Sequence, residues 1–230
     1  PSELFIGLTL QNLIYHKDII ILLPIQPSMM CTKDRSLKFT IGRDSDALIV
    51  VDVQRDFCPG GALPVPEGDL IISFLNKYIE EFQKAGAQVY ATRDWHSPNH
   101  ISFRAQGGPW PPHCVQKSRG AEFHPDFKLP KSVKIISKAT NPQREAYSGF
   151  DGTELAEELR GKRVTRVFIG GLATDYCVKN TVLDALKLGF YVALLVDATR
   201  GIDAKPGDSE KVINEMMEKG AEKAVLKDIK

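Results

Sequence analysis

Strand-like and helix-like segments alternate along the chain from residue 47 onward. Six short runs are apolar and mostly rich in β-branched residues, which is typical of strands that are buried on both faces of a sheet. These runs cover residues 47–53, 87–93, 133–137, 164–170, 190–196 and 224–227. The alternation predicts a three-layer α/β fold of the Rossmann-like type, in which helices cover both faces of a six-stranded, mostly parallel sheet.

The segments between these strands include four predicted helices. They cover residues 69–85, 153–159, 175–188 and 209–219. In the first of them, five apolar side chains share one stripe that we expect to face the sheet. The stripe consists of Leu70, Phe74, Leu75, Ile79 and Phe82.

The first 45 residues do not continue the alternation. Two short apolar runs are followed by a polar stretch. We interpret residues 1–45 as an N-terminal extension of unknown role and residues 46–230 as the folded domain. The extension is either an additional hairpin or arm, or upstream sequence ahead of Met29 or Met30 as alternative starts.

The balance of charges argues against a protein that binds nucleic acid or a membrane surface. The chain has 30 basic and 29 acidic residues and a net charge of +1, so it lacks the basic footprint that phosphates attract. No apolar run approaches the roughly 18–20 residues that span a bilayer, and the N-terminus lacks the pattern of a signal peptide. We therefore expect a cytoplasmic protein.

The four cysteines, Cys31, Cys58, Cys114 and Cys177, stand far apart in the sequence. This spacing offers no CxxC pair and no dense framework, so we do not expect a disulfide-stapled secreted domain. Each thiol is therefore judged by its own position. Cys31, Cys58 and Cys114 are typical of buried, unreactive cysteines.

Reactive residue types follow four consecutive predicted strands. Asp52 ends the first strand, Asp94 and His96 follow the second, Lys138 follows the third, and Cys177 comes after the fourth. Because ligands bind outside the carboxyl ends of the strands in an open parallel sheet, we expect these side chains to meet in one site. A structural protein does not need this combination at its strand ends, so the pattern predicts an enzyme.

Cys177 falls in the first turn of the predicted helix 175–188, with Thr174 or Asp175 as the N-cap residue. The helix dipole and a nearby ammonium such as that of Lys138 would both lower the pKa of the thiol. This position predicts a nucleophile and not an inert, buried cysteine.

The loop from residue 94 to about residue 132 is long and rich in Pro, Gly, His and Trp. Loops of this length in compact domains are usually functional. Asp94, His96 and His113 supply one carboxylate and two imidazoles, a set that suits an open zinc, iron or manganese site. His100 lies in the same loop and is a further candidate ligand.

Five ordered segments of the chain resemble one family. They are VDVQRDF (51–57), ATRDWHSPNHISF (91–103), WPPHCVQ (110–116), YSGFDG (147–152) and GLATDYCV (171–178). In order and spacing they are similar to the nicotinamidase/pyrazinamidase group of the isochorismatase-like cysteine hydrolases. The resemblance runs through residues 46–230 and implies the same α/β fold.

The resemblance implies a catalytic triad of Asp52, Lys138 and Cys177. In the implied mechanism, Asp52 takes the proton of Cys177 and later delivers it to the departing ammonia, while the Lys138 ammonium stabilises the thiolate. Backbone N–H groups of Ala173 and Cys177 would face the oxyanion. The family pattern further suggests a cis peptide bond between Leu172 and Ala173.

The resemblance also implies one divalent metal ion, with zinc expected first and iron or manganese as alternatives. Its ligands would be Asp94, His96 and His113, whereas His100 is a ligand in only some members of the family. The metal would bind the pyridine nitrogen of the substrate and thereby position the amide. The implied walls of the substrate pocket are Phe57, Trp110, Tyr147 and Leu172.

The implied activity is hydrolysis of nicotinamide to nicotinate and ammonia through a cysteine thioester, in NAD salvage, with pyrazinamide as a second substrate. The expected partner is thus a small carboxamide, with neither nucleic acid nor membrane, and we expect a homo-oligomer. Three alternatives stay open. The chain could be a related hydrolase of an N-carbamoyl compound, a ureido acid or isochorismate; a catalytically silent binding module; or a protein with a purely structural metal site.

Overall fold

The structure, a computed structural model, describes residues 39–230. Within these residues six strands form one sheet in the order β3-β2-β1-β4-β5-β6, and every pair of neighbouring strands is parallel. The strands are β1 (Asp46–Val51), β2 (Gln88–Asp94), β3 (Lys134–Lys138), β4 (Arg166–Leu172), β5 (Tyr191–Arg200) and β6 (Glu222–Ala224). The predicted six-stranded α/β sheet is therefore confirmed.

Helices cover both faces of the sheet in the same part of the chain. They are α1 (Ile72–Ala85), α2 (Leu155–Gly161), α3 (Lys179–Lys187) and α4 (Asp208–Glu218). Helix α1 packs with Leu48 and Val50 of β1 on one face, and the other three helices pack with Ala47, Ile49 and Val51 on the opposite face. Successive strand residues point to opposite faces, so β1 contributes to both cores. Among the described residues, no helix combines the length and the apolar character needed to cross a membrane.

Helix α1 begins later than the sequence pattern predicts, and this changes which side chains are buried. Gly68–Ile71 form a 3-10 turn ahead of the helix, and Leu70 in this turn is 53% exposed. Phe74 is 39% exposed. It precedes the buried Leu75 by one residue, which places its side chain about 100° away around the helix axis. The prediction that both side chains face the sheet is wrong. The buried face consists of Ile72, Leu75, Tyr78, Ile79 and Phe82.

The last strand is displaced from its predicted position. Strand β6 ends at Ala224, and Leu226–Asp228 form a 3-10 turn where the sequence pattern predicts strand 224–227. The Asp228 carboxylate accepts a hydrogen bond of 3.3 Å from the Val225 N–H, which holds the chain in this turn. Local side-chain capping thus ends the strand.

The folded body begins before residue 46. Phe39 is buried, and its N–H donates a hydrogen bond of 2.6 Å to the Asp228 carbonyl. Arg166 Nη2 donates to the Thr40 carbonyl at 2.8 Å, which fixes the same segment. Residues 39–45 therefore pack with the sheet, whereas Met29, Met30, Cys31 and the rest of the predicted extension lie outside the described residues.

The strand order places a crevice between β1 and β4. From β1 the chain moves outward through β2 to β3, and it then returns to β4 on the other side of β1. Ligands bind at such a switch point, outside the carboxyl ends of the strands. Asp52 directly follows β1, and the turn that contains Cys177 follows β4.

Candidate active site

Three of the predicted residues meet at the carboxyl ends of the strands. Asp52 follows β1, Lys138 is the last residue of β3, Cys177 lies in the turn after β4, and all three are buried. The Lys138 Nζ atom lies 2.9 Å from Asp52 Oδ2 and 3.4 Å from Cys177 Sγ. The structure therefore gathers the predicted carboxylate and thiol around one ammonium group.

Lys138 is a buried cation that reaches across β2. Its ammonium also donates to Asp94 Oδ1 and, at 3.3 Å, to the Ala146 carbonyl. Burial alone would lower the pKa of Lys138, but the carboxylates of Asp52 and Asp94 raise this pKa well above its usual range. The side chain is therefore charged, and it connects the predicted triad to a predicted metal ligand.

Asp52 is a fully buried carboxyl group. Burial raises the pKa of Asp52, and the neighbouring Lys138 ammonium opposes this rise. Thr92 Oγ1 donates a hydrogen bond of 2.6 Å to Asp52 Oδ1. Because a general base works best when its pKa lies near the working pH, a raised pKa suits Asp52 to accept a proton.

The surroundings of the Cys177 thiol differ from the prediction. Burial raises the pKa of Cys177 well above its usual value, although the Lys138 ammonium opposes this. The prediction of a lowered pKa is wrong, because the loss of hydration outweighs the effect of one ammonium at 3.4 Å. Cys177 thus rests as a thiol and needs a neighbouring base to release its proton.

The turn around Cys177 is also capped differently from the prediction. Thr174–Val178 form a π-helical turn ahead of α3, and no side chain caps its start. The Thr174 hydroxyl is hydrogen-bonded to the Thr199 hydroxyl at 2.7 Å, and Asp175 accepts from backbone N–H groups just after β5. The predicted N-cap role of Thr174 or Asp175 is wrong, since both side chains fasten the turn to the end of β5.

Asp94, His96 and His113 form a compact set, in which one ligand atom from each lies within 4.8 Å of the others. The Nδ1 atom of His96 lies 3.1 Å from the His113 carbonyl, and that of His113 lies 2.8 Å from the Pro111 carbonyl. A carbonyl oxygen only accepts, so each Nδ1 carries the proton and each Nε2 offers a lone pair. The buried Nε2 of His96 has no hydrogen-bond partner among residues 39–230, which fits a metal ion at this position.

His100 lies beside this set but faces other groups. Its ring centroid is 4.4 Å from that of His96. Its Nε2 lies 3.1 Å from the Arg144 carbonyl and therefore donates, which leaves Nδ1 to accept from the Ser102 hydroxyl at 2.7 Å. Both ring nitrogens are thus engaged within the protein, and the geometry favours His100 as a packing neighbour of His96.

Glu145 is a residue that the sequence analysis missed. Its Oε1 lies 3.7 Å from His96 Nε2, on the side of His96 that also faces His100. Burial would raise the pKa of Glu145, but the His96 ring in its protonated form and the Ala146 N–H lower this pKa to about 2. The carboxylate is therefore ionised beside the candidate metal ligands. It stands between two motifs, where no pattern in the sequence marks it.

A cleft with about 360 Å³ of empty space opens beside these groups. Phe57, Trp110 and Tyr147 line it as predicted, and Trp110 Nε1 donates a hydrogen bond of 3.0 Å to the Tyr147 hydroxyl. The lining also includes members of the predicted triad and metal set, namely Asp94, His113 and Cys177. The Cys177 thiol and two of the candidate metal ligands, Asp94 and His113, therefore face one narrow space.

Residues 46–225 match the family model described as an isochorismatase domain. This chain belongs to the isochorismatase family. It is 41% identical over 203 residues to the nicotinamidase of Escherichia coli, covering 79% of this chain and 95% of that protein. A pyrazinamidase of Pyrococcus horikoshii, solved in complex with zinc, is 59% identical with a TM-score of 0.76 and covers 79% of this chain and 99% of that one. A protein from L. infantum, solved in complex with nicotinate, is 36% identical with a TM-score of 0.79, covering 84% and 99%.

At the end of β4, this isochorismatase-family chain places Ala173 and not Leu172 at the cleft. The peptide bond between the two residues is cis, as the resemblance implies. Leu172 is fully buried in the core beside Gly68 and is not among the described residues that line the cleft. The prediction that Leu172 walls the pocket is wrong, because its side chain points into the core from the last position of the strand.

Four further residues that the sequence analysis did not single out line the cleft. They are Leu63, Val65, Tyr176 and Ile202. Three of them are single aliphatic residues in loops, which approach the cleft only because the tertiary fold brings their loops together. Tyr176 is the exception, since its position next to Cys177 within a family motif could have indicated it.

Proposed function

We propose that this isochorismatase-family protein is a nicotinamidase, which hydrolyses nicotinamide to nicotinate and ammonia. The observation that carries the proposal is the shared cleft, in which the Cys177 thiol and two members of the metal-ligand set, Asp94 and His113, face one aromatic-walled space. Such a space can hold a flat pyridine ring while its carboxamide lies against the nucleophile. The similarity to the E. coli nicotinamidase supports this substrate.

Asp52 is the general base of the proposed reaction. It takes the proton of Cys177, and the thiolate sulfur forms a bond to the amide carbon while the carbonyl π electrons move to oxygen. Collapse of this tetrahedral oxyanion breaks the C–N bond, and Asp52 returns the proton to the leaving ammonia. A nicotinoyl thioester remains on Cys177.

Water completes the proposed reaction. Asp52, ionised again, takes a proton from a water molecule, whose oxygen attacks the thioester carbon. The C–S bond breaks, the Cys177 sulfur recovers a proton from Asp52, and the product leaves as nicotinic acid, which gives its carboxyl proton to solvent and becomes nicotinate. The Lys138 ammonium, 3.4 Å from the sulfur, stabilises the thiolate in both halves of the reaction.

Backbone N–H groups of Ala173 and Cys177 are the proposed donors to the oxyanion. Both residues line the cleft at the turn that follows β4. Such donors stabilise the charge that develops on the carbonyl oxygen, and the loss of one donor in another hydrolase costs about 3 kcal/mol of transition-state stabilisation.

Asp94, His96 and His113 are the proposed ligands of one divalent metal ion. Zinc is the proposed ion because one carboxylate and two imidazoles suit it, and the similar P. horikoshii protein was solved in complex with zinc; iron and manganese accept the same donors. When bound, the ion would act as a Lewis acid toward the pyridine nitrogen and so position the amide.

Pyrazinamide is the proposed second substrate, because it carries the same carboxamide on a six-membered ring with one more nitrogen. Since nicotinate can be rebuilt into NAD, we assign the enzyme to NAD salvage. A cytoplasmic location and assembly into a homo-oligomer remain predictions from the sequence.

Ammonia release from nicotinamide tests the proposal. Purified protein should release ammonia and nicotinate in equal amounts, lose turnover on chelation and regain it when zinc is restored. An N-carbamoyl amino acid serves as the control substrate, and turnover of this compound without turnover of nicotinamide would replace the proposed substrate. Binding of nicotinamide without ammonia release would indicate a silent binding module.

A further inference from the structure

Thr92 is a fully buried residue of β2 that holds Asp52 at two points. Its hydroxyl donates to Asp52 Oδ1 at 2.6 Å, and its carbonyl accepts the Asp52 N–H at 3.3 Å. Thr92 is not among the described residues that line the cleft. Any influence on the reaction must therefore act through Asp52.

The methyl group of Thr92 packs closely against Gly149. A Cβ atom added to Gly149 would lie only 2.9 Å from Thr92 Cγ2, well inside the roughly 3.5–4.0 Å at which carbon atoms normally meet. Threonine is stiff about χ1 because its Cβ is branched. With the methyl against Gly149, the hydroxyl is directed at Asp52, and a change of rotamer would lose both contacts.

The two oxygens of Asp52 consequently have different surroundings. Oδ1 accepts the Thr92 hydrogen bond, whereas Oδ2 is buried and accepts no well-aligned hydrogen bond from the described part of the chain. Oδ2 lies 2.9 Å from the Lys138 Nζ, and that same ammonium lies 3.4 Å from Cys177 Sγ. Oδ2 is thus the oxygen that shares the Lys138 ammonium with the thiol.

We propose that Thr92 is a positioning residue, which fixes the carboxylate plane of Asp52 so that Oδ2 is presented to Cys177. The inference rests on the proposed function of Cys177 as nucleophile and Asp52 as base. A carboxylate turns readily about its Cβ–Cγ bond, so the Lys138 ammonium alone does not fix which oxygen faces the thiol. The Thr92 hydroxyl supplies the second point of attachment.

Replacement of the hydroxyl by a methyl group tests the proposal in the zinc-loaded enzyme. Thr92→Val keeps the shape and the contact with Gly149, and it should lower kcat about 10- to 100-fold, which is part of the roughly 100- to 10,000-fold that general base catalysis contributes. The KM for nicotinamide should stay within about twofold, since binding groups are untouched. Thr92→Ser is the variant that keeps the hydroxyl, and its kcat should lie within about threefold of the wild-type value.

The alkylation rate of Cys177 by iodoacetamide, followed on its own peptide by mass spectrometry, gives a readout that does not need nicotinamide turnover. Thr92→Val should slow this alkylation and Thr92→Ser should not. Wild-type protein that releases no ammonia would overturn the proposed function, while the alkylation rates would still decide the role of Thr92. Wild-type values of both kcat and alkylation rate in Thr92→Val would overturn the positioning role.

Tyr78→Phe is the matched control. It also removes a buried hydroxyl that donates to a carboxylate, at 2.7 Å to Asp197 Oδ1, but neither residue lines the cleft in the described chain. This variant should lose thermal stability and keep kcat within about twofold. An equal loss of kcat in Tyr78→Phe and Thr92→Val would mean that the effect is a general structural one, and it would overturn the proposal.

Gly149→Ala tests the contact with the Thr92 methyl. The added Cβ should displace Thr92 and lower kcat, because its other contacts, at 3.5 Å to Leu155 and 3.6 Å to Thr181, are ordinary ones. The double variant Gly149→Ala with Thr92→Ser has room for this Cβ and should recover most of the lost kcat. A double variant as slow as Gly149→Ala alone would contradict the proposed role of the methyl contact.

Discussion

Lys138 shows at the scale of single residues how the candidate site depends on matched charges. Its buried ammonium contacts the carboxylates of Asp52 and Asp94 and lies 3.4 Å from the Cys177 sulfur. A buried charge is costly when it has no partner, so the removal of one member of such a group leaves the others uncompensated. Without Lys138, the buried carboxylates of Asp52 and Asp94 would lie close together with no cation between them.

We expect Lys138→Met to lose both activity and stability. Breaking a buried charge pair typically costs about 3–5 kcal/mol of unfolding free energy, and the variant should release no measurable ammonia. Chemical denaturation followed by circular dichroism measures the first effect. Lys84→Met is the control, because Lys84 pairs with Glu81 at an exposed position and its removal should leave the denaturation midpoint almost unchanged. Equal denaturation midpoints in the two variants would contradict the account.

We expect Cys177→Ala to lose turnover by more than about a thousandfold, since the nucleophile of the proposed reaction is absent. Its affinity for nicotinate, measured by calorimetry with zinc bound, should stay near that of the wild type. Cys58→Ala is the control for removal of a buried thiol, because Cys58 is not among the described lining residues of the cleft. Turnover above a thousandth in Cys177→Ala would remove Cys177 from its assigned role.

At the scale of elements, helix α1 illustrates how a local turn decides which side chains are buried. The 3-10 turn Gly68–Ile71 precedes the helix and leaves Leu70 exposed, whereas Leu75 is fully buried against the sheet. Both leucines belong to the apolar stripe that the sequence predicts. Only the position of the first helical turn distinguishes them, and helix boundaries are the least certain part of a pattern-based prediction.

Two leucine-to-alanine variants test this assignment. Leu75→Ala should lower the unfolding free energy by about 2–5 kcal/mol, the usual cost of a cavity in a packed core. Leu70→Ala should cost less than about 1 kcal/mol, because its side chain is largely in solvent. Denaturant titration measures both values, and similar losses in the two variants would contradict the described position of α1.

The sequence was sufficient for the sheet but not for every side chain of the site. Apolar runs predict six strands and locate the first five, while β6, in which Glu222 and Lys223 are exposed, lies before its predicted position. The ends of four strands mark Asp52, Asp94, Lys138 and Cys177. The pKa of the Cys177 thiol could not be predicted in this way, since it depends on how much water the folded site excludes.

Glu145 and Thr92 escaped prediction for a related reason. Each contacts a residue far away in the sequence, His96 for Glu145 and Asp52 for Thr92. Such contacts depend on tertiary packing and leave no periodic pattern. Leu172 shows the opposite error, because a residue inside a family motif need not direct its side chain at the substrate.

At the scale of the whole molecule, the candidate metal ligands lie outside the two apolar cores. Asp94 is the last residue of β2, and His96 and His113 lie in the loop that follows it, while the helices pack on the faces of the sheet. The fold therefore does not depend on the metal as a small zinc-stapled domain does. The site uses the switch point that the strand order creates.

Removal of the metal should therefore inactivate a protein that stays folded. After chelation, far-UV circular dichroism should be unchanged. The melting temperature should fall only by the amount that corresponds to the lost binding free energy of one metal ion. Ammonia release should stop and return with zinc. Cooperative unfolding upon chelation would instead indicate a structural metal and would contradict this separation of site and core.

The most direct test of the central claim is to trap the thioester. Zinc-loaded protein is mixed with nicotinamide, quenched in acid within the first turnovers and digested, and the peptide that contains Cys177 is weighed by mass spectrometry. The account predicts that this peptide gains the mass of one nicotinoyl group, and that Cys177→Ala protein shows no such adduct. Steady ammonia release with an unmodified Cys177 peptide at every quench time, or with the adduct on another residue, would contradict it.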